Sequence, residues 1–226
     1  MTERVLGIDV GGSSVKVSVH DGVHCAAESA PLVTDRPSRY RAEFDPAAWW
    51  AVIRGLVRRV VEQQGPGPYA GIVVSSLRQG FVLTDGAREL GPGILNSDRR
   101  GAPGLARLRR IPELYALTGH WPAPELTLAK LLTLIDEEPD RWASARTLLF
   151  VHDWLVWRLC GSEATEASYA CAGQMADVAA RGWAADLLDE VGIGTSRLAR
   201  VVEAGTRVGG LRDGGLGLPA GLPVVA

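Results

Sequence analysis

Apolar and polar residues alternate with the two-residue period of a β-strand over Val15-Lys16-Val17-Ser18-Val19-His20, and Leu6-Gly7-Ile8-Asp9-Val10 before it reads as a buried strand. Only Gly11-Gly12-Ser13-Ser14 separates the two, so the chain opens as a hairpin. Asp21-Gly22 supplies a second turn ahead of a third short strand over residues 23–27. The period then changes. Asp45 is a good helix N-cap and Pro46 suits the first turn, after which Trp49, Ile53, Leu56, Val57 and Val60 recur at helical spacing until Gly65. The β-branched run over 70–75 predicts a buried strand and 81–83 its neighbour, with Ser75-Ser76-Leu77-Arg78-Gln79-Gly80 crowding polar groups between them. Further helices are predicted over 127–136, ended by Pro139, over 153–159, ended by Gly161, and over 183–191, ended by Gly192. Trp49, Trp50, Trp154 and Trp157 fall on helices as core residues. Residues 206–219 read as a glycine-rich loop, and Leu222 to Ala226 begins an apolar strand.

Strands interleaved with helices predict an α/β domain. Its candidate chemistry sits in the first hairpin. Gly11 and Gly12 let backbone N–H groups approach an anion, and Ser13 and Ser14 add hydroxyl donors. Asp9 at the strand end is placed to organise a magnesium ion beside phosphates, and Lys16 is a candidate for phosphate charge. A strand follows the glycines, which excludes a Walker P-loop and a dinucleotide-binding turn, both of which open a helix. Three successive antiparallel strands with a phosphate loop in the first hairpin resemble the actin, hexokinase and sugar-kinase superfamily. That resemblance implies an actin-like ATPase (ribonuclease H-like) domain, a mixed sheet flanked by helices.

Composition narrows the partners. The chain has 226 residues, 46% of them hydrophobic, enough for a sizeable core in one domain, and a formal net charge of -2 gives no electrostatic reason to bind nucleic acid or a membrane surface. Arg99, Arg100, Arg107, Arg109 and Arg110 lack interleaved aromatics and read as a solvated face. Three scattered cysteines, Cys25, Cys160 and Cys171, form no C-x-x-C pair, and the segment after Met1 is charged and strand-like rather than an apolar leader. A cytoplasmic protein with reduced thiols is the expectation. His20 and His24 straddle a turn with no third ligand in view, and His152-Asp153 near Ser168 lacks the G-x-S-x-G elbow of a hydrolase.

Taken in order, the motifs resemble the N-terminal domain of the FGGY family of carbohydrate kinases over nearly the whole chain. The hairpin Gly7 to Lys16 is similar to that family's phosphate hairpin, and Ala42 to Trp50 to the approach to its first helix. Ser76-Leu77-Arg78-Gln79-Gly80 and Asn96-Ser97-Asp98-Arg99-Arg100 sit where the family holds its sugar. The stretch 127–132 with Lys130, then Asp153-Trp154-Leu155, Thr165-Glu166-Ala167-Ser168 and 217–225 complete the series. The resemblance implies ATP and magnesium as cofactors, a small-molecule sugar substrate, and a C-terminal kinase domain as partner; it leaves a homodimer open. It implies phosphate contacts at Asp9, Gly11, Gly12, Ser13, Ser14 and Lys16, and hydrogen bonds to substrate oxygens from Arg78 and Gln79. Asp98 and Arg100 would shape the sugar site. In the family a Gly-x-x-Asp segment after the Pro-Val-Val strand carries the general base. The strand here reaches Ala226, so no catalytic base is expected within these residues, and the chain alone is expected not to phosphorylate a sugar. Leu77-Arg78-Gln79-Gly80 departs from the Gln-Met-His-Gly of xylulokinases, and only Arg78 matches the Gln-Arg-Glu of glycerol kinase. Asn96 in place of the usual tryptophan is similar to the autoinducer kinases, and Glu125 falls where glycerol kinase has a substrate-contacting tyrosine. A non-catalytic sugar-binding or regulatory domain is the alternative; an actin-like structural ATPase would have no use for the sugar-site motifs.

Overall fold

The computed structural model describes residues 3–65, 67–212 and 214–226. The opening strands are β1 (Arg4–Val10), β2 (Ser14–His20) and β3 (Cys25–Pro31), each antiparallel to the next. The third strand thus lies later and runs longer than the 23–27 read from hydrophobicity. Its side chains are mostly small or polar, and pairing with β2 from His20↔Cys25 to Ser14↔Pro31 sets its length instead. A short pair, β4 (Asp35–Ser38) and β5 (Arg41–Phe44), leads to helix α1 (Pro46–Gln64). Asp45 caps α1 as expected, accepting hydrogen bonds from the N–H groups of Ala47 (2.8 Å) and Ala48 (3.2 Å), and Gly65 ends it at φ 72°.

The chain continues through β6 (Tyr69–Ser76), β7 (Phe81–Thr84) and β8 (Gly93–Ile94) into the short helices α2 (Leu105–Leu108) and α3 (Leu114–Thr118). Helix α4 (Thr127–Glu137) follows. Pro139, expected only to stop it, also starts α5 (Pro139–Ser144) by sitting in its first turn. Next come β9 (Thr147–Phe150), α6 (Val151–Cys160), β10 (Ala164–Glu166) and α7 (Ala167–Ala172). A small hairpin of β11 (Ala176–Asp177) and β12 (Gly182–Trp183) precedes α8 (Ala185–Glu190). The helix read over 183–191 therefore starts later, because Trp183 pairs with Ala176 and its indole donates to the Ala199 carbonyl at 2.9 Å. The chain closes through β13 (Arg200–Val202), β14 (Arg207–Gly210) and β15 (Pro223–Val225). The region 206–219, read as loop, so contains a strand; two glycines hide it from a side-chain pattern while its backbone pairs with β15. Asp213, within that span, lies outside the described residues.

Six strands form one mixed sheet in the order β14-β15-β6-β1-β2-β3, with β6 parallel to both β1 and β15. A second, five-stranded sheet, β4-β5-β8-β7-β9, is antiparallel throughout. Helices α1 and α6 press their apolar sides onto one face of the six-stranded sheet, joining Trp49, Ile53, Leu56 and Trp154 to Leu6, Ile8, Val15 and Val17 in a single core. Each such large side chain contributes about 1.5–3 kcal/mol by leaving water. Trp49 and Trp154 are fully in that core, whereas Trp50 and Trp157 are half-buried at its rim. The other face of the sheet carries Val5, Asp9, Lys16, Val73 and Ser75, all exposed. Helices α4 and α8 build a second core beneath the five-stranded sheet, around Leu83, Leu131, Leu148 and Phe150.

Candidate functional site

The parallel strands β1 and β6 end side by side, with Asp9 opposite Ser75 and Val10 opposite Ser76. In such a sheet the carboxyl ends of neighbouring parallel strands are where ligands are received. The hairpin loop after β1 is tight: the Gly11 N–H donates to the Ser14 carbonyl at 2.8 Å, and β2 begins at Ser14 with no helix. Gly12, Ser13 and Ser14 are exposed on it. Asp9 and Lys16 pair in register across the hairpin, both exposed, and neither side chain has a partner among the described residues.

The loop after β6 is fastened to the hairpin by a hydrogen bond from the Leu77 N–H to the Val10 carbonyl at 2.7 Å. Gly80 closes this loop, where a Cβ would come within 2.6 Å of Leu77 and 3.0 Å of the Ile94 carbonyl. The loop after β8 arrives from the other side: a Cβ on Gly12 would stand 3.6 Å from Asn96 Oδ1. Phosphate hairpin and both expected sugar loops are thus contiguous.

Arg78 and Gln79 line a cavity of about 520 Å³ shared with His120, Glu166, Ser168 and Arg181. That volume suits a monosaccharide with its water. Arg78 is exposed and unpartnered among the described residues, whereas Arg181 is held by Glu203 at 2.6 Å. Glu166 caps α7 through the Ser168 N–H at 3.0 Å and also takes the Ser168 hydroxyl. The Tyr169 hydroxyl accepts the Ser76 N–H at 3.0 Å, which ties α7 to the end of β6. Behind it the Tyr169 ring stacks on His152, whose Nδ1 lies 3.0 Å from Asp153, and both are buried. Burial raises the Asp153 pKa against the hydrogen bond from His152. That pair is scaffold, with Ser168 engaged by Glu166 rather than by His152.

Asp98 and Arg100 are placed differently from Arg78 and Gln79. Both are buried; Asp98 accepts from Arg100 Nε and Nη2 at 2.9 Å and from the Ala42 N–H at 2.7 Å, and Arg100 also grips Glu43. Burial works against the Arg100 charge, but the hydrogen bonds to Asp98 and Glu43 outweigh it and raise its pKa above the ordinary value. The pair fixes the 96–100 loop from behind. Glu125 is ion-paired to Arg99 at 2.7 Å and does not line the cavity.

Sequence reasoning missed His120, Glu166, Ser168 and Arg181 as cavity residues. Thr165-Glu166-Ala167-Ser168 stands out in the sequence as a motif without a role; His120 and Arg181 carry no periodic signal, because only the packing of α3 against the β11–β12 hairpin brings them here. Among the described residues no group of three His, Cys, Asp or Glu side chains could hold a metal by itself. Magnesium ordinarily keeps several waters and takes one or two carboxylates beside phosphate oxygens, and Asp9 is an exposed carboxylate at the hairpin mouth. No helix among the described residues is long and apolar enough to cross a membrane.

Comparison with known proteins gives a consistent picture. Residues 4–226 match the FGGY family of carbohydrate kinases, N-terminal domain. The chain is 29% identical over 210 residues to xylulose kinase of Escherichia coli strain K12, covering 91% of this chain and 43% of that protein. It is 28% identical over 233 residues to autoinducer-2 kinase of Klebsiella pneumoniae, covering 98% and 42%. The crystal structure of xylulose kinase from Rhodospirillum rubrum superposes with a TM-score of 0.93 at 27% identity, over 99% of this chain and 48% of that one. The chain spans less than half the length of these relatives.

Proposed function

The chain belongs to the FGGY family of carbohydrate kinases, and from that premise we propose that it is the N-terminal domain, residues 1–226, of a cytoplasmic kinase that phosphorylates a sugar hydroxyl with ATP. The acceptor is a ketose, polyol or sugar acid bound in the Arg78–Gln79 cavity. Arg78, an exposed cation with no ion-pair partner among the described residues, supports an oxygen-rich or anionic acceptor. Gln79 adds an amide to it, and Asp98 and Arg100 shape the site by bracing its neighbouring loop.

The hairpin Gly11 to Ser14 receives the phosphate tail on its N–H groups and hydroxyls, Lys16 adds positive charge, and Asp9 would hold magnesium, which neutralises charge on the transferring group. In the reaction the sugar oxygen bonds to the γ-phosphorus, the bond to the ADP oxygen breaks, and the sugar proton leaves to a carboxylate base. On this reading the base comes from the Gly-x-x-Asp segment that follows the Pro-Val-Val strand in the family, and the adenosine grip from the C-terminal domain. The observation that supports the reading is the Leu77–Val10 hydrogen bond, which ties the loop bearing Arg78 and Gln79 to the hairpin, as a donor site beside an acceptor site would require.

A thermal-shift screen of the intact protein against ketopentoses, sugar acids and polyols, followed by ADP release with each stabilising compound, tests it. Stabilisation with sugar-dependent ADP release is expected. Stabilisation without ADP release would leave a sugar-binding or regulatory module, and no stabilisation by any sugar would overturn both.

A further inference from the structure

We propose that Lys130 is a positioning residue of the acceptor site, a buried amine that clamps the main chain of both loops forming it; the role rests on the sugar-kinase reading above. Lys130 lies on α4 with no exposure at all, between Leu128, Ala129, Leu131 and Leu132, which are equally buried and apolar. A leucine or methionine would pack there without the cost of stripping water from an amine. What the surroundings offer a lysine is two carbonyl groups. Its Nζ donates to the Gln79 carbonyl at 2.7 Å and to the Leu95 carbonyl at 2.8 Å.

Thr127, one turn earlier on the same face of α4, donates its hydroxyl to the Gln79 carbonyl as well, at 3.0 Å. Two donors from one helix therefore meet on one carbonyl oxygen. Gln79 needs such restraint. Its φ is 67°, in the left-handed region that residues other than glycine rarely adopt, and such a conformation persists only where its surroundings hold it. The restraint fixes how Arg78 and the Gln79 side chain meet the cavity. The second carbonyl, of Leu95, immediately precedes Asn96, the residue that abuts Gly12 of the hairpin. One amine thus sets the spacing between the acceptor loop and the loop that touches the phosphate hairpin.

The clamp does not depend on an ion pair. Of the carboxylates that favour its charge, Asp98 acts most strongly, and it is already engaged by Arg100 and the Ala42 N–H. Burial brings the Lys130 pKa down to about 7, and a neutral amine still has two N–H groups, one for each carbonyl.

Two variants of the intact protein test the role: Lys130→Met, which keeps bulk and removes both donors, and Thr127→Val, which keeps shape and removes one. The first readout is trypsin cleavage after Arg78, compared with cleavage after Arg88, an exposed arginine on a separate turn. Cleavage of the native protein follows local opening. We expect cleavage after Arg78 to rise about tenfold in Lys130→Met and about threefold in Thr127→Val, with Arg88 unchanged. The second readout is kinetic: KM for the acceptor sugar rises about tenfold in Lys130→Met while KM for MgATP stays within about twofold. Cleavage at both arginines rising together, no change at Arg78, or equal losses for sugar and ATP would overturn the proposal. If Lys130→Met does not fold, Thr127→Val decides. If the unaltered protein uses no sugar, the proposed function falls, while the cleavage ratio still tests the clamp.

Discussion

Asp9 and Lys16 face one another across the first hairpin, exposed on the sheet face that no described helix covers, and among the described residues no other side chain binds either. Opposite charges directly across an antiparallel pair are ordinarily close enough to attract. On the proposed reading this pair, at the mouth of a glycine turn, serves a ligand carrying both phosphate and metal. Asp9→Ala in the intact protein should lower turnover about 10²- to 10³-fold while acceptor affinity stays within about twofold. Steady-state rates and calorimetry with the sugar check the split, and equal losses in both would contradict it.

Arg78→Ala should do the reverse. The side chain lines the cavity and has no partner among the described residues, so on the proposed reading its removal should leave the fold intact and take a charge-assisted hydrogen bond from the acceptor, worth about 1.5–3 kcal/mol. Sugar dissociation constants should rise by about ten- to a hundredfold, with nucleotide binding unaltered. Calorimetry with each ligand measures this; unchanged sugar affinity would remove Arg78 from the site.

The two residues also show what the chain discloses before it is folded. Asp9 and the glycine hairpin were legible because strand period and turn chemistry are local, and α1 was legible for the same reason, from Asp45 through Gly65. Arg78 and Gln79 could be singled out as polar groups at the end of a buried strand. Lys130 and Tyr169 could not be given roles, since each acts on a carbonyl or N–H far away in sequence, at Gln79 and Ser76. The edge strand β3 and the glycine-rich β14 were misjudged for a related reason: their pairing lies in the backbone, and side-chain patterns do not report it.

Asp98→Ala should cost stability before it costs chemistry. It strips a buried guanidinium of its main counter-charge and leaves the Ala42 N–H unanswered. Removing one member of a buried ion pair typically costs about 3–5 kcal/mol. The thermal midpoint should fall by several degrees or the protein fail to accumulate, and a midpoint equal to wild type would show that Glu43, with Glu138 4.0 Å from the Arg100 Nη1, suffices for Arg100.

Lys130 makes stability depend on pH in a direction opposite to that of a surface lysine with an acid partner. In the unfolded chain it titrates near the ordinary lysine value of 10.5, and in the fold burial brings it to about 7. Between these values the unfolded chain holds the extra proton, so unfolding takes up a proton and stability rises with pH. Below about pH 7 the full penalty of a buried charge is present; toward 10.5 it disappears. Asp98 and Glu125 soften the penalty and Arg100 deepens it. Cys160 and Cys171, whose pKa values burial raises, lose stability for the fold as the medium becomes alkaline, but they do so equally in a variant at position 130. The informative quantity is therefore the stability of wild type minus that of Lys130→Met, measured by urea denaturation from pH 6.5 to 9. It should grow by up to about 1.4 kcal/mol per pH unit, and a difference that stays flat over that range would show that Lys130 titrates as it does in water.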